Sequence, residues 1–341
     1  MLIKQNFSIK RLNTFGLNVF SRYYTEITNI EEIKNIFTRF NYIKKIFIGN
    51  GSNILFLKDY YPGLVIRVKI KGKKIIYEDD YKAIVKAFSG ENWSNFVKWT
   101  IKKGFNGLEN LSFIPGTVGA SPIQNIGAYG SEIKDCLLKV QVYEISNGKI
   151  KDFTQKECKL QYRDSIFKNN MYKNKFFILS VFFILRKKKC NTLNTYYIEI
   201  QKELENMNIE KPTSYDISKA IFNIRKKKLP NPMEIGNAGS FFINPIVEKV
   251  FFNRLKFKYP TIMGNCISNN KIKIFASSLI ETAGWKGKRI GNVGVYKKLP
   301  IILVNYGGAS GMEIYLFSKS IIKNIKKRFG IFLFREVNVI R

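Results

Sequence analysis

Hydrophobic residues recur every three or four positions in four parts of the chain, and this spacing predicts amphipathic helices. The predicted helices lie at 27–40, at about 92–103, around 247–256 and near 310–328. The second of them ends at Gly104, because glycine commonly follows the last turn of a helix. Segment 187–225 has helical spacing in a more polar sequence, and we interpret it as a connector.

Apolar runs bounded by polar or glycine-containing turns predict strands in much of the remaining sequence. The longest run, FFILSVFFIL at 176–185, is too short for a membrane-spanning helix and is rich in β-forming residues. It therefore predicts a buried strand. A hairpin is predicted at 73–90, and GIFLFREVNVI at 330–340 predicts a closing strand. Helices and strands are interspersed without an internal repeat, which indicates the α+β class in two or more domains.

The charge of the chain is large but evenly spread. The 341 residues carry a formal net charge of +33, which is typical of proteins that bind nucleic acid or another anionic surface. The lysines, however, lie along the whole chain beside abundant Asn, Ile, Phe and Tyr, all residues with A/T-rich codons. Genomic base bias explains the charge more simply than nucleic-acid binding does. The basic runs at 186–190 and 225–228 are predicted to be solvated surface.

The sequence contains no histidine. This excludes a Ser-His-Asp triad and any histidine-ligated metal, so acid–base chemistry must come from a carboxyl, Lys, Tyr, Cys or Ser side chain, or from a cofactor. The N-terminal sequence lacks the apolar core of a signal peptide. The cysteines form no CxxC motif, which predicts no metal and reduced structural thiols in a cytoplasmic protein. They are Cys136, Cys158, Cys190 and Cys266.

One stretch of this basic chain carries no charge. Residues 110–131, which we call the neutral stretch, contain no Asp, Glu, Lys or Arg but include Gly116, Gly119, Gly127 and Gly130. Glycines permit close approach of a ligand to the backbone, and neutral donors suit a pyrophosphate and a flat ring.

A second glycine-rich segment precedes the neutral stretch. GNGSN at 49–53, which we call the glycine turn, follows a predicted strand and can present backbone N–H groups to a phosphate. Taken alone, this turn is more simply an ordinary β-turn. Together with the neutral stretch, and outside a Rossmann pattern, it indicates a flavin-type site.

Several motifs together resemble the UDP-N-acetylenolpyruvoylglucosamine reductase (MurB) family, and they run in family order over nearly the whole chain. They are NTFGL at 13–17, GNGSNILFLKDY at 49–60, GENW at 90–93, the sequence GLENLSFIPGTVGASPIQNIGAYG at 107–130, YRDSIFK at 162–168, KLPNP at 228–232 and GNAGSFFINP at 236–245. In addition, TLNTYYIEI at 192–200 is similar to the insertion of the longer family type.

The resemblance implies an α+β fold with a FAD-binding domain of the vanillyl-alcohol-oxidase (PCMH) type in two subdomains, followed by a C-terminal α+β substrate-binding domain. The expected limits are 1–70 and 71–188 for the two FAD subdomains, 189–225 for a connector with the substrate-closing tyrosine, and 226–341 for the substrate domain. The closing strand is a candidate to return to the first subdomain. A monomer is expected, with no membrane insertion and no nucleic-acid partner.

The resemblance also implies an activity, the NADPH-dependent reduction of UDP-N-acetylglucosamine enolpyruvate to UDP-N-acetylmuramate in peptidoglycan precursor synthesis. NADPH reduces non-covalently bound FAD, and the flavin then gives hydride to the terminal carbon of the enolpyruvyl double bond. Negative charge develops on the neighbouring carbon and its carboxylate. The site therefore needs a cation, a hydrogen-bond donor and a proton source.

The residues implied for FAD lie in the glycine turn, the neutral stretch and the YRDS motif. They are Gly49, Asn50, Gly51, Ser52, Asn53, Ile54, Pro115, Gly116, Ser121, Pro122, Ile126, Gly127 and Tyr162.

Three residues match the catalytic positions of the family. Arg163 is the implied cation, since a guanidinium can hold a carboxylate bidentately; an ion pair with Asp164 is the structural alternative. Ser240 is the implied proton donor, and its alternative is an ordinary turn serine. Glu336 is the implied carboxyl that either bonds the substrate carboxylate or orients the polar network, and two adjacent carboxyls predict a raised pKa for Glu336 in the complex. Its alternative is a surface strand glutamate.

The resemblance implies four substrate-binding residues, Tyr196, Lys228, Asn244 and Arg289, although some relatives have an uncharged amide at the position of Arg289. Tyr196 would close over the substrate, and Lys228 and Arg289 would contact the diphosphate. Before Glu336, where the family often has an acidic residue and a proline, this chain has Phe334 and Arg335.

Two alternative functions stay open at this point. Another flavin oxidase or dehydrogenase on the same FAD fold would share the glycine segments, although Ser240, Glu336 and Lys228 disfavour it. A basic nucleic-acid-binding protein would explain the charge, but it would explain neither the neutral stretch nor the lack of a nucleic-acid motif.

Overall fold

The computed structural model describes residues 2–169, 171–172, 175–187 and 193–341. The chain divides into two compact units, each made of several segments. Unit 1 consists of the segment up to Lys4, Tyr23–Asn50 and Gly63–Lys227; unit 2 consists of Gln5–Arg22, Gly51–Pro62 and Lys228–Arg341. Cys190 and the predicted boundary between 188 and 189 lie outside the described residues, as does part of the basic run at 186–190.

The α-helices of the described chain are distributed over both units. They are α1 (Ile30–Arg39), α2 (Trp93–Lys102), α3 (Ile198–Asn206), α4 (Ser214–Lys228), α5 (Lys249–Lys258), α6 (Ala276–Thr282) and α7 (Gly311–Phe329).

The strands are mostly short. They are β1 (Lys4–Ser8), β2 (Phe20–Ile27), β3 (Lys45–Ile48), β4 (Ile54–Phe56), β5 (Tyr60–Val68), β6 (Lys73–Glu78), β7 (Lys82–Phe88), β8 (Phe105–Asn106), β9 (Gly127–Ala128), β10 (Ser131–Glu132), β11 (Leu137–Glu144), β12 (Ile150–Thr154), β13 (Phe176–Lys187), β14 (Gly236–Ser240), β15 (Ile246–Glu248), β16 (Gly264–Ser268), β17 (Lys271–Ile274), β18 (Arg289–Ile290), β19 (Val293–Val295), β20 (Ile302–Asn305) and β21 (Asn338–Ile340).

Unit 1 is built on an antiparallel sheet in the order β12-β11-β13-β7-β6, with β8 also paired to β13. The predicted buried strand is confirmed as β13, because every residue from Phe177 to Phe183 is buried. Helix α2 packs on this sheet, and the ring centroids of Phe96 and Phe183 lie 5.2 Å apart. A second sheet has the order β1-β2-β5-β3, and β3 runs parallel to β5 within unit 1.

Polar caps set where the first two predicted helices begin. The Asn29 side chain accepts a hydrogen bond from the Glu32 N–H, and the Asn92 side chain accepts one from the Asn95 N–H. Helix α1 therefore starts at Ile30, three residues after the predicted start at 27, because Ile27 still belongs to β2 and Asn29 is the cap.

The helical part of the predicted connector has its own small core inside unit 1. Helices α3 and α4 bury apolar residues against each other, and the half-buried Tyr129 of the neutral stretch packs against this cluster. The buried members are Ile200, Leu204, Ile217, Ala220, Ile221 and Ile224.

Unit 2 contains the sheet β14-β20-β19-β18, the small sheet β15-β17-β16 and the parallel pair β4-β21. Helix α7 begins with a capping box formed by Ser310 and Glu313, and it ends before Gly330, whose φ is 72°. The predicted helix at 247–256 begins only at Lys249, because 246–248 pair with β17. The predicted closing strand at 330–340 is shorter than expected and spans only β21.

Candidate functional site

The glycine turn follows β3 and contacts the neutral stretch within unit 1. The Asn50 side-chain amide donates a hydrogen bond of 3.0 Å to the Gly116 carbonyl, 66 residues away in the chain. A Cβ on Gly49 would lie 2.7 Å from Thr117 Oγ1, so any larger residue at this position would displace the Thr117 side chain. The fold therefore brings the two glycine-rich segments of the sequence together.

The second half of the glycine turn belongs to unit 2, where it lies beside the C-terminal segment. The Asn53 carbonyl accepts a hydrogen bond of 3.1 Å from the Asn338 N–H, and Asn53 Nδ2 donates one of 3.4 Å to the Glu336 carbonyl. Ile54 lies opposite Asn338 in the β4–β21 pair. Unit 2 thus places predicted cofactor residues next to the predicted catalytic Glu336.

Glycines shape the neutral stretch. Gly116 has a φ of 131°, which L side chains rarely adopt, and a Cβ on Gly119 would lie 2.5 Å from Ser89 Cβ. The backbone N–H of Gly119 donates to the Ser89 carbonyl at 3.0 Å. The remaining predicted cofactor residues differ in exposure. Ser121, Pro122 and Ile126 are buried, Ser52 and Ile54 are half-buried, and Pro115 is exposed.

The donors of the neutral stretch fit a dinucleotide cofactor. With no charged side chain between 110 and 131, the groups available to a ligand are backbone amides and neutral polar side chains. Beside Gly119, the buried Ser89 hydroxyl has no hydrogen-bond partner among the described residues. Bare backbone and neutral donors suit the pyrophosphate and flat ring system of FAD.

Tyr162 and Arg163 occupy a tight turn in unit 1. Gln161 and Asp164 exchange backbone hydrogen bonds of 3.0 and 3.1 Å across it, and Arg163 has a φ of 56°. The Arg163 guanidinium donates a hydrogen bond of 2.9 Å to the Gly127 carbonyl and lies 5.5 Å from the centroid of the Tyr162 ring. A left-handed conformation at a non-glycine residue is uncommon and clusters at functional sites.

Ser240 and Glu336 belong to neighbouring backbone segments of unit 2. Ser240 ends β14 opposite Ile302 of β20. The next residue, Phe241, accepts a hydrogen bond of 2.9 Å from the backbone N–H of Glu336. Both predicted catalytic side chains are half-buried.

Phe334 and Arg335 stand before Glu336, where the family often has an acidic residue and a proline, and the Arg335 side chain packs against α7. Arg335 Nε donates a hydrogen bond of 2.8 Å to Ser318 Oγ, and the guanidinium lies 4.3 Å from the centroid of the Tyr315 ring. Burial lowers the pKa of Arg335. The main chain is hydrogen-bonded on either side of Arg335. The Ile243 N–H donates to the Phe334 carbonyl at 2.9 Å, and the Glu336 N–H donates to the Phe241 carbonyl.

Tyr196 is exposed on a segment that is anchored to the neutral stretch. Its side chain is 86% exposed, whereas the next residue, Tyr197, packs edge-on against Tyr129 at 5.4 Å between centroids. Asn194 Nδ2 donates a hydrogen bond of 3.2 Å to the Gly130 carbonyl. The anchor residues are fixed while Tyr196 itself faces solvent.

The other predicted substrate residues lie in unit 2. Lys228 is exposed at the end of α4. Asn244 Oδ1 accepts a hydrogen bond of 2.9 Å from the first backbone N–H of α6. Arg289 donates from Nε to the Gly291 carbonyl at 2.7 Å, and its guanidinium lies 4.4 Å from the centroid of the Tyr306 ring.

Polar contacts at the neutral stretch include residues that sequence reasoning missed. Arg225 hydrogen-bonds Tyr129, and burial lowers the pKa of Arg225 and raises that of Tyr129. The prediction of a solvated run at 225–228 is therefore wrong for Arg225. Asn110 Nδ2 donates to the carbonyls of Tyr129 and Asn194 at 3.0 and 2.9 Å. No sequence signal separates Arg225 from the lysines beside it, because only the orientation of α4 distinguishes them.

The described residues include no cluster of three or more Cys, Asp or Glu side chains that could hold a metal ion. None of the helices in the described ranges is long and apolar enough to cross a membrane. Cys136 and Cys158 are buried free thiols, and Cys266 is an exposed one.

Two family models match the sequence. The model for the C-terminal domain of UDP-N-acetylenolpyruvoylglucosamine reductase matches residues 231–340, and a FAD binding domain model matches residues 22–154.

Full-length relatives carry the same reductase name. The chain is 46% identical over 340 residues to the UDP-N-acetylenolpyruvoylglucosamine reductase of Flavobacterium johnsoniae, with 100% of both chains covered. It is 42% identical over 343 residues to that of Amoebophilus asiaticus, again with 100% of both covered. The solved MurB structure from Thermus caldophilus matches with a TM-score of 0.67 at 20% identity over 100% of both chains. The predicted fold class is confirmed.

Proposed function

Because this chain belongs to the UDP-N-acetylenolpyruvoylglucosamine reductase family, we propose that it reduces UDP-N-acetylglucosamine enolpyruvate to UDP-N-acetylmuramate with NADPH. The reaction converts an enolpyruvyl ether into a lactyl ether in peptidoglycan precursor synthesis. The proposal includes a cytoplasmic location, where both nucleotide substrates would be met.

The observation that carries the proposal is the pairing of two family motifs in unit 2. GNAGSFF, with Ser240, and the dipeptide EV, with Glu336, are far apart in the sequence but are joined by the hydrogen bond from Glu336 N–H to the Phe241 carbonyl. An oxidase with other chemistry on the same FAD-binding fold would have no need for this pair of side chains.

FAD is the cofactor of the family reaction, and the donors of the neutral stretch suit it. When bound, FAD supplies two-electron transfer between NADPH and the substrate double bond. The residues of this chain that would hold it are those of the glycine turn and neutral stretch, together with Tyr162. Because these residues are uncharged, backbone N–H groups would hydrogen-bond the pyrophosphate, as at other anion sites built from main-chain N–H groups.

Arg163 is proposed to hold the substrate carboxylate. Its hydrogen bond to the Gly127 carbonyl fixes one side of the guanidinium beside the neutral stretch. The turn that exchanges backbone bonds between Gln161 and Asp164 fixes its main chain. A pre-positioned guanidinium stabilises the negative charge that develops on the substrate, because little reorganisation is needed as the reaction proceeds.

Ser240 is proposed to give the proton to the substrate carbon, and Glu336 to hydrogen-bond the substrate carboxylate. A serine hydroxyl is a weak acid, but a carbanion-like centre is a strong base, so a well-placed hydroxyl can protonate it. Two carboxylates side by side repel each other, which favours a protonated Glu336 in the complex. Support comes from the main-chain pairing that keeps both residues on adjoining segments.

The remaining assignments concern the sugar nucleotide. Lys228 is proposed to contact the diphosphate and Tyr196 to close over the substrate, in keeping with their exposed side chains. Asn244 and Arg289 are proposed as polar contacts; each already uses one atom in a bond within the protein. For Arg289 the terminal guanidinium nitrogens would make the contact.

Anaerobic spectroscopy tests the proposal. The purified protein should be yellow, should be bleached by NADPH, and should regain its colour when the enolpyruvyl sugar nucleotide is added. Ser240→Ala should retain bleaching by NADPH but lose at least about 100-fold in the reoxidation step, which is the range expected for proton transfer by a positioned group.

Two results would count against the proposal. A protein that cannot take up FAD would refute any flavin function. A Ser240→Ala variant that is reoxidised by the sugar nucleotide at the parent rate would refute the proton-donor assignment while leaving the flavin function intact.

A further inference from the structure

Helix α5 of unit 2 presents apolar side chains to solvent. Phe257 is 91% exposed and Val250 is 64% exposed, and their spacing of seven residues places them on one side of the helix. Phe252 and Leu255 are buried on the other side. Large apolar side chains grouped on an exposed surface indicate an interaction site.

The same helix carries many cations and no carboxylate. Lys249, Arg254, Lys256 and Lys258 are all exposed. No Asp or Glu occurs between Lys249 and Ile280. The exposed side of α5 therefore combines positive charge with apolar surface.

The C-terminal end of α7 lies against α5 and extends this surface. The Phe329 ring meets the Tyr259 ring edge-on at 4.9 Å between centroids, and the Arg328 guanidinium lies 5.5 Å from the Tyr259 centroid. Lys326 and Lys327 are exposed beside Arg328. Three more cations thus adjoin those of α5.

Two exposed phenylalanines follow α7. Phe332 is 47% exposed and Phe334 is 65% exposed, with ring centroids 4.9 Å apart. A Cβ on Gly330 would lie 4.0 Å from Phe251 Cζ, so this segment begins next to α5. We call the combined surface the basic aromatic face: Val250, Phe251, Phe257, Phe332 and Phe334 with Lys249, Arg254, Lys256, Lys258, Lys326, Lys327 and Arg328.

The cations of the basic aromatic face have no counter-ion within the described residues. None of the seven lies within 4.0 Å of a carboxylate of those residues, whereas Lys286 in the same unit pairs with Glu281 at 2.6 Å. Lys258 and Arg328 even converge on one ring, 5.7 and 5.5 Å from the Tyr259 centroid. Like charges gathered without a counter-ion favour an external anion.

We propose that the basic aromatic face docks this protein on an anionic lipid bilayer. Lysine and arginine side chains would bind the phosphate head groups, and the phenylalanines would enter the boundary between head groups and acyl chains. Nucleic acid is the less suitable partner. The Phe332 and Phe334 rings pack on each other at an interplanar angle of 66°, so they do not present parallel platforms for successive bases.

Vesicle co-sedimentation of the full chain tests the proposal. Binding to vesicles with phosphatidylglycerol should exceed binding to pure phosphatidylcholine by at least about tenfold, and it should weaken strongly between 50 and about 300 mM salt. The combined change Lys256→Glu with Lys258→Glu should weaken binding by about tenfold or more, and Phe257→Ser by about threefold or more.

Matched variants elsewhere control for charge and exposed aromatic area. Lys102→Glu with Lys103→Glu reverses two exposed cations at the end of α2, and Tyr42→Ser removes a ring that is 97% exposed. Both should bind vesicles as the parent does. If they weaken binding as much as the changes on α5, the positive charge of the whole chain is responsible and the proposal is wrong.

A fluorescence probe keeps the test valid if an α5 variant folds poorly. In Phe257→Trp, the emission of the added tryptophan should shift to the blue on anionic vesicles and not on phosphatidylcholine. No shift, or equal binding to both vesicle types, would overturn the proposal. It would also be overturned if single-stranded DNA bound with the same dependence on Lys256, Lys258 and Phe257 and displaced the vesicles.

Discussion

The backbone N–H of Glu336 donates a 2.9 Å hydrogen bond to the carbonyl of Phe241, the residue after Ser240. This bond uses only main-chain atoms, so changing the Glu336 side chain leaves it in place. The two proposed catalytic side chains are therefore held on adjoining segments independently of their own chemistry, and each can be replaced as a test of role rather than of folding.

Replacing Glu336 should distinguish hydrogen-bond donation from proton transfer. If a protonated carboxyl donates to the substrate carboxylate, Glu336→Gln keeps a donor and should lower kcat by only about tenfold. Glu336→Ala should lower it by about 100-fold or more. Steady-state turnover with the enolpyruvyl sugar nucleotide measures both, and flavin bleaching by NADPH should be unchanged. Equal losses in the two variants would contradict the donor role.

Asn50→Ala should loosen FAD without unfolding unit 1. The variant loses the 3.0 Å bond to the Gly116 carbonyl that joins the glycine turn to the neutral stretch. A net hydrogen bond is worth about 0.5–1.5 kcal/mol, which corresponds to a roughly two- to tenfold weaker FAD affinity. Flavin fluorescence titration of the apoprotein measures it. Asn41→Ala, at an exposed position, serves as the control and should bind FAD as the parent does.

Gly119→Ala should destabilise the fold by overpacking. Its φ lies outside the left-handed region, so the cost comes from the new Cβ, which would lie 2.5 Å from Ser89 Cβ. Inserting a methyl group into such packing costs about 1–3 kcal/mol. Thermal unfolding should show a lower Tm, whereas Ala120→Ser at the exposed neighbouring position should change it little. A parent-like Tm for Gly119→Ala would mean that Ser89 moves aside freely.

Glu109→Gln should stabilise the protein at neutral pH and not at acid pH. Glu109 is 4% exposed, and burial raises its pKa above the usual 4.5. The folded state therefore favours the protonated acid. The stability that Glu109 contributes in this form is fully present below the unfolded pKa. It is lost as the pH rises through the folded pKa, because the buried side chain must then ionise. The amide has no charge to desolvate, so its advantage in Tm should grow from pH 4 to pH 8.

The gain in unfolding free energy of Glu109→Gln over the parent depends on how far the pKa of Glu109 is raised in the folded state. Each pKa unit corresponds to roughly 1.4 kcal/mol. Thermal unfolding of parent and variant at both pH values provides the measurement. A gap in Tm that stays constant with pH would show that Glu109 is not the titrating group. Glu157→Gln, an exposed matched change, should show no growing advantage.

Local features of the fold were predictable because neighbouring residues determine them. The spacing of apolar residues located α1, α2 and α7, and the run 176–185 located the buried strand β13. Asn29 and Asn92 cap their helices with bonds to residues three positions on, a relationship contained in the sequence itself. The start of α5 was misplaced because residues 246–248 also suit a strand, and only their partner β17 decides between the two.

By itself, the sequence determined the family, the α+β class, the neutral character of the proposed FAD wall and the identity of the candidate side chains, since each depends on residue types and their order. The tertiary structure alone decided which distant residues touch. It joined Asn50 to Gly116, set the segment of Glu336 beside that of Ser240, and turned Arg225 towards Tyr129 while Lys226 stayed exposed. These contacts depend on how strands pair and how helices are oriented, which no stretch of neighbouring residues specifies.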